Sequence, residues 1–170
     1  MNSDELRTLQ APLKAKYGDE PEAAKITLRA TGALDEANIA CKVETGRALA
    51  VAGLHPKSGG SGAELCSGDM LLEALVACAG VTLKAVATAL DVSLRSGRVS
   101  AEGDLDIRGT LGVDKAAPVG FSDIRVRFTV DTDADDEKLA LLLKLTERYC
   151  VVLQSLKTSP ETRATIERPS

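Results

Sequence analysis

From Ser67 to Leu90 nearly every position is apolar, with Leu71, Leu72, Leu75, Val76, Ala79, Val81, Leu83, Val86 and Leu90 spread around most of a helical circumference. Glu73 and Lys84 return to nearly the same angle at about 100° per residue, so a single narrow stripe is polar. The pattern predicts one long helix, with Ser67 as N-cap and Asp69 in a first turn that favours an anion. A helix apolar nearly all round is buried on most sides or spans a membrane. Asp69, Glu73 and Lys84 inside the stretch, and Asp91 and Arg95 just beyond it, are costly in hydrocarbon, so burial in a protein core is expected.

On either side of this helix the period drops to two. Lys25 to Ala30 alternates Ile26, Leu28 and Ala30 against Lys25, Thr27 and Arg29, which predicts a strand with one wet face. Ala37 to Glu44 and Arg47 to Ala52 read as two further strands, and Gly53 to Gly62 as a glycine- and proline-broken loop. Arg98 to Arg108 and Phe121 to Val130 alternate again, followed by a helix opening at Asp133 or Asp135 and running to about Arg148. Val151 to Leu156 is a short helical or strand-like turn, and Thr162 to Glu167 a candidate last strand. Residues 3 to 17 suit a leading helix that Pro12 should break or bend. The order points to an α+β fold: a helical extension over residues 1–24 and one domain over 25–170.

With 170 residues, 44% of them hydrophobic, the chain can build a real core. Aromatic content of 2% leaves few stacking platforms for bases, and a net charge of −4 without a basic cluster argues against phosphate backbones, so no nucleic-acid partner is expected. The start MNSDELRTLQ has neither a basic nor an apolar run; neither a targeting segment nor membrane association is expected, and the cytoplasm is the default compartment.

Four cysteines, Cys41, Cys66, Cys78 and Cys150, occur without a CxxC pair. Cys41 sits on the apolar side of a strand and reads as core. Cys78 lies mid-helix, about 140° around from Glu73, facing protein rather than bulk water; it is either a small buried hydrophobe or a reactive thiol. Cys66 stands at the helix entry, where main-chain N–H groups can lower a thiol pKa. His55, Cys66 and Asp69 are the only candidates for a metal, but one histidine and no recognised spacing make no metal site or cofactor the expectation.

Cys78 in LLEALVACAGVTL and Cys150 in LTERYCVVLQSL, with the strand pair VSAEGDLDIRG and GFSDIRVRFTVD between them, resemble the OsmC/Ohr family over roughly residues 25 to 167. The resemblance implies an α/β sandwich with strands packed around a long buried central helix, in an intertwined homodimer. It also implies a thiol-dependent peroxidase that reduces organic hydroperoxides, with Cys78 as peroxidatic and Cys150 as resolving cysteine, recharged by a dithiol reductant such as a lipoyl protein. The alternative is a non-enzymatic binding or redox-sensing module with an apolar pocket beside Cys78. Family members place an arginine at an early turn and a glutamate before the helix; here Ala33 and Leu34 follow Thr31 and Gly32, and Gly68 with Asp69 stands ten residues before Cys78. Asp69, Arg29 and Arg47 are the nearby substitutes, and Val151 replaces the proline common after the second cysteine.

Overall fold

The structure is a computed structural model and describes residues 3–34, 41–43, 52–63, 65–166 and 168. Four antiparallel strands form the main sheet in the order β2-β1-β5-β6: β1 is Lys25–Leu34, β2 Cys41–Val43, β5 Ser96–Asp106 and β6 Asp123–Asp131. Two short strands, β3 (Ala52–Gly53) and β4 (Leu65–Cys66), pair in parallel. The alternation read from the sequence sets the faces: Val99, Ala101 and Gly103 of β5 are buried, while Arg125 and Arg127 of β6 point outward. On that outer face Arg125 is ion-paired with Asp104 at 2.6 Å, with Glu102 at 3.6 Å and with Asp123.

Helix α2, Ser67–Ala89, is the long apolar element and packs across β1 and β5. Its side formed by Leu72, Leu75, Val76, Ala79, Leu83 and Val86 is buried against Val99 and Ala101, together with Leu142 from α4 (Asp136–Tyr149) and Cys150. Each fully buried leucine contributes roughly 1.5–3 kcal/mol. The helix has the length and composition of a membrane span. It is not enclosed on most sides as its composition suggests: Leu71 and Val81 are each 38% exposed, and Ala74 is exposed with them. Its cap also differs from expectation, because Cys66 rather than Ser67 occupies the N-cap position and makes no side-chain capping bond.

A smaller core joins Tyr17, Ala24, Ile107 and Leu111, so the first helix, α1 (Ser3–Asp19), is docked on the domain. It continues through Pro12 without a break. After β5, a single turn, α3 (Ile107–Thr110), is capped by Asp106, whose carboxylate accepts from the Arg108 N–H and pairs with its guanidinium at 2.6 Å. The Gly53 to Gly62 stretch is more ordered than expected, with a 3-10 turn over Pro56–Ser58.

The last predicted strand does not form: residues 162–166 carry no regular structure and are exposed, Ile166 at 99%. A strand requires a ladder partner, and none of the described strands pairs with this segment. Most of the second and third predicted strands, residues 37–40, 44 and 47–51, lies outside the described residues.

Candidate active site

Helices α4 and α5 (Val151–Lys157) are separated by one residue, Cys150, whose extended backbone (φ −73°, ψ 106°) both closes α4 and opens α5. Asp135 caps the start of α4 by accepting from the Lys138 N–H at 2.8 Å, and α4 then delivers Cys150 to the core with no exposed surface. Opening a new helix there leaves the first N–H groups of α5 without intrahelical partners. These groups point at the sulfur of Cys78, which α2 presents half-buried on the edge of its packed face.

The thiols of Cys78 and Cys150 are neighbours close enough for each to shift the titration of the other. Burial pushes the Cys78 thiol up, but the Val152 N–H, the Cys150 thiol, the Val151 N–H and the Thr82 hydroxyl outweigh it and hold the group below its ordinary value. Thr82 Oγ1 also lies 2.8 Å from the Cys78 carbonyl oxygen. Its single proton serves that carbonyl while the sulfur is a thiol and is available to the sulfur once it ionises. Cys150 moves the other way: burial raises it first, and the neighbouring Cys78 adds to the rise against the Leu153 and Val152 N–H groups. The pair is thus split into one thiol poised to ionise and one that keeps its proton.

Of the supporting residues expected around Cys78, only Asp69 has its side chain among the described residues, and it is not among the groups that act on the sulfur. Asp69 stands nine residues earlier, about 13 Å along a helix rising 1.5 Å per residue, with His55 as its neighbour. Burial raises the Asp69 carboxyl against the opposing charge of His55; burial and the charge of Asp69 raise Glu73. Arg29 has its main chain in β1 opposite Glu102, and its side chain, like the whole of Arg47, lies outside the described residues. Among the described residues, the stabilisers of the Cys78 anion are hydrogen-bond donors, three of which (Val151, Val152 and Thr82) the sequence did not mark as functional. Only the position of Thr82, one helical turn after Cys78, was a usable signal.

His55 accepts a hydrogen bond from the Lys57 N–H at its Nδ1, 3.0 Å away, so the neutral ring carries its proton on Nε2. Among the described residues no three histidine, cysteine or acidic side chains gather closely enough to hold a metal, so His55, Cys66 and Asp69 form no ligand set.

The family model for OsmC-like proteins matches residues 60–165, which takes in α2, β5, β6 and the two cysteines of the pair. The chain belongs to the OsmC-like protein family. Its fold is also that of a crystal structure of an OsmC-like hydroperoxide resistance protein from Jannaschia sp. CCS1, with a TM-score of 0.61 over 85% of this chain and 95% of that one. Identity between the two is 15%, so the likeness is one of fold. No curated protein matches the sequence.

Proposed function

We propose that this OsmC-like protein is a thiol-dependent peroxidase that reduces organic hydroperoxides through a disulfide cycle between Cys78 and Cys150. The observation that carries the reading is the placing of the two thiols as neighbours in one core, with their opposite pKa shifts. In the first step the Cys78 thiolate attacks the terminal oxygen of ROOH, the O–O bond breaks, and the departing RO⁻ takes a proton to leave as ROH. The resulting Cys78 sulfenic acid condenses with the Cys150 thiol, forming the S–S bond and releasing water. A dithiol of the lipoyl class then reduces the disulfide by exchange, itself becoming oxidised to its cyclic disulfide. The apolar surroundings of Cys78 favour an alkyl hydroperoxide over hydrogen peroxide.

The working unit in this proposal is a homodimer. Leu71, Ala74 and Val81 form an open apolar strip on α2, and Val151, 71% exposed, lies beside the thiol pair at the start of α5. A second copy covering this strip removes both from water. The cytoplasm, where a thiol reductant is abundant, suits the cycle.

The test is a thiol titration before and after one equivalent of cumene hydroperoxide, followed by peptide mapping. Loss of two thiols and a Cys78–Cys150 disulfide is the expected result. Retention of both thiols rejects the peroxidase and leaves the family fold serving a binding or sensing role.

A further inference from the structure

A second feature lies at the other end of α2. We propose that the cavity at its amino terminus binds a small apolar molecule bearing one uncharged hydrogen-bonding head, at a site separate from the thiol pair. The cavity has a volume of about 410 Å³, within the range of roughly 300–1,000 Å³ typical of small-molecule sites. Leu54, Leu71, Leu105 and Phe121 supply apolar walls, and His55, Ser58 and Cys66 the polar ones. Cys66 precedes Cys78 by twelve residues, about 18 Å along the helix at 1.5 Å per residue.

Ser58 is the observation that points to a ligand. It is 5% exposed, it lines the cavity, and its hydroxyl makes no hydrogen bond among the described residues. The hydroxyl opens onto the cavity, where it can pair with an oxygen or nitrogen of a ligand. The neighbouring His55, with Nδ1 already occupied by the Lys57 N–H, offers Nε2–H as a donor on the same wall.

This polar wall is held in place from behind. The Ser58 and Gly60 N–H groups both donate to the His55 carbonyl, at 2.7 and 3.1 Å. From α1, the Tyr17 hydroxyl donates to the Lys57 carbonyl at 2.8 Å and Gln10 Nε2 to the Ser58 carbonyl at 3.3 Å. The fold at Gly60 is so close that a Cβ there would lie 1.6 Å from the Leu54 carbonyl oxygen. Such a wall keeps its hydrogen-bonding groups oriented before a ligand arrives, which lowers the entropy cost of binding.

The head must be uncharged. Neither lysine nor arginine is among the described residues lining the cavity, so an anion meets no full counter-charge, only the partial positive charge of the α2 amino terminus. A cation would face the proton of His55 Nε2.

N-phenyl-1-naphthylamine, a neutral aromatic amine with a single N–H, is a suitable probe. Its fluorescence should rise saturably with one site per chain, and at saturation it should slow alkylation of Cys66 by iodoacetamide several-fold while leaving that of Cys78 unchanged, read by peptide mass spectrometry. Gly120 lines the same cavity, and a Cβ there meets nothing within 4 Å, so Gly120→Leu should fill the space without a clash and weaken the probe at least tenfold. Ser58→Ala should weaken it several-fold. Cys66 alkylation unaffected by bound probe in the wild type, or equal probe affinity in Gly120→Leu, overturns the proposal.

Discussion

Cys78 and Cys150 are neighbouring thiols that act on each other, yet one sulfur is half-buried under hydrogen-bond donors and the other is wholly enclosed. Their environments push the two pKa values apart, Cys78 below and Cys150 above the ordinary 9.0. The thiolate is the reactive form, so the alkylation rate of Cys78 should rise with pH through a midpoint under that value, and that of Cys150 should lag well above it. Near neutral pH Cys78 should react at least about tenfold faster than Cys150. Cys150→Ala removes one donor from the Cys78 anion and should move the Cys78 midpoint upward. Iodoacetamide rates followed by peptide mass spectrometry against pH measure both; identical midpoints for the two cysteines contradict the division of roles.

Thr82 gives a second, smaller handle on the same anion. Thr82→Val keeps the shape of the side chain while deleting its proton, so the Cys78 midpoint should rise and the helix should remain intact. The lost bond to the Cys78 carbonyl should cost no more than about 0.5–1.5 kcal/mol in urea unfolding. A Cys78 midpoint that does not move removes Thr82 from the site.

The apolar strip on α2 predicts a change of assembly on substitution. Val81 is 38% exposed on the side of the helix away from the sheet, so Val81→Arg costs the single chain little. If a second copy covers the strip, the substitution buries an unpaired charge at its centre. Sedimentation velocity should then show a dimer for the wild type and a monomer for Val81→Arg. A wild-type monomer at micromolar concentration removes the dimer from the proposal.

What could be read from the sequence was whatever carries a period. Alternation placed β1, β5 and β6, and the nearly continuous apolar run placed α2 to within a residue of its observed ends. Thr162 to Glu167 alternates too, but alternation states only which face is apolar and not whether another strand stands beside it. The end of α4 near Cys150 was legible, but nothing in the residue pattern says that the next turn aims two main-chain N–H groups at Cys78. Main-chain donors belong to no residue type. Asp69, Arg29 and Arg47 stand out in the sequence by their charge, whereas Val151 and Val152 carry no such mark.

Gly103 and Phe121 show how tightly the sheet closes on the cavity wall. A Cβ on Gly103 would lie 2.5 Å from Phe121 Cε1, closer than non-bonded carbons approach, so the ring rests directly on the β5 backbone. Gly103→Ala should force the ring aside and destabilise the protein by about 1–3 kcal/mol, read as a lower urea midpoint with an unchanged slope. Since Phe121 lines the cavity beside Ser58, the same variant should also alter affinity for the apolar probe. A neutral effect on both would mean that the ring has free space to move into.

Tyr17 ties α1 to the turn that carries His55 and Ser58, through a side chain 1% exposed whose hydroxyl donates to the Lys57 carbonyl. Tyr17→Phe deletes that bond and should cost about 0.5–1.5 kcal/mol. Tyr17→Ala also empties the small core against Ile107 and Leu111 and should cost about 3–5 kcal/mol. Burial raises the phenol above 10.0, so the folded state resists its ionisation. The associated stability is fully present below that value and is lost as pH rises through the folded pKa, because the unfolded chain gives up the proton first. Urea midpoints at about pH 8 and about pH 11 should therefore fall more steeply in the wild type than in Tyr17→Phe, which has no proton to lose at this position. Equal alkaline losses in the two proteins would show that the phenol reaches solvent and that α1 is bound more loosely than its burial indicates.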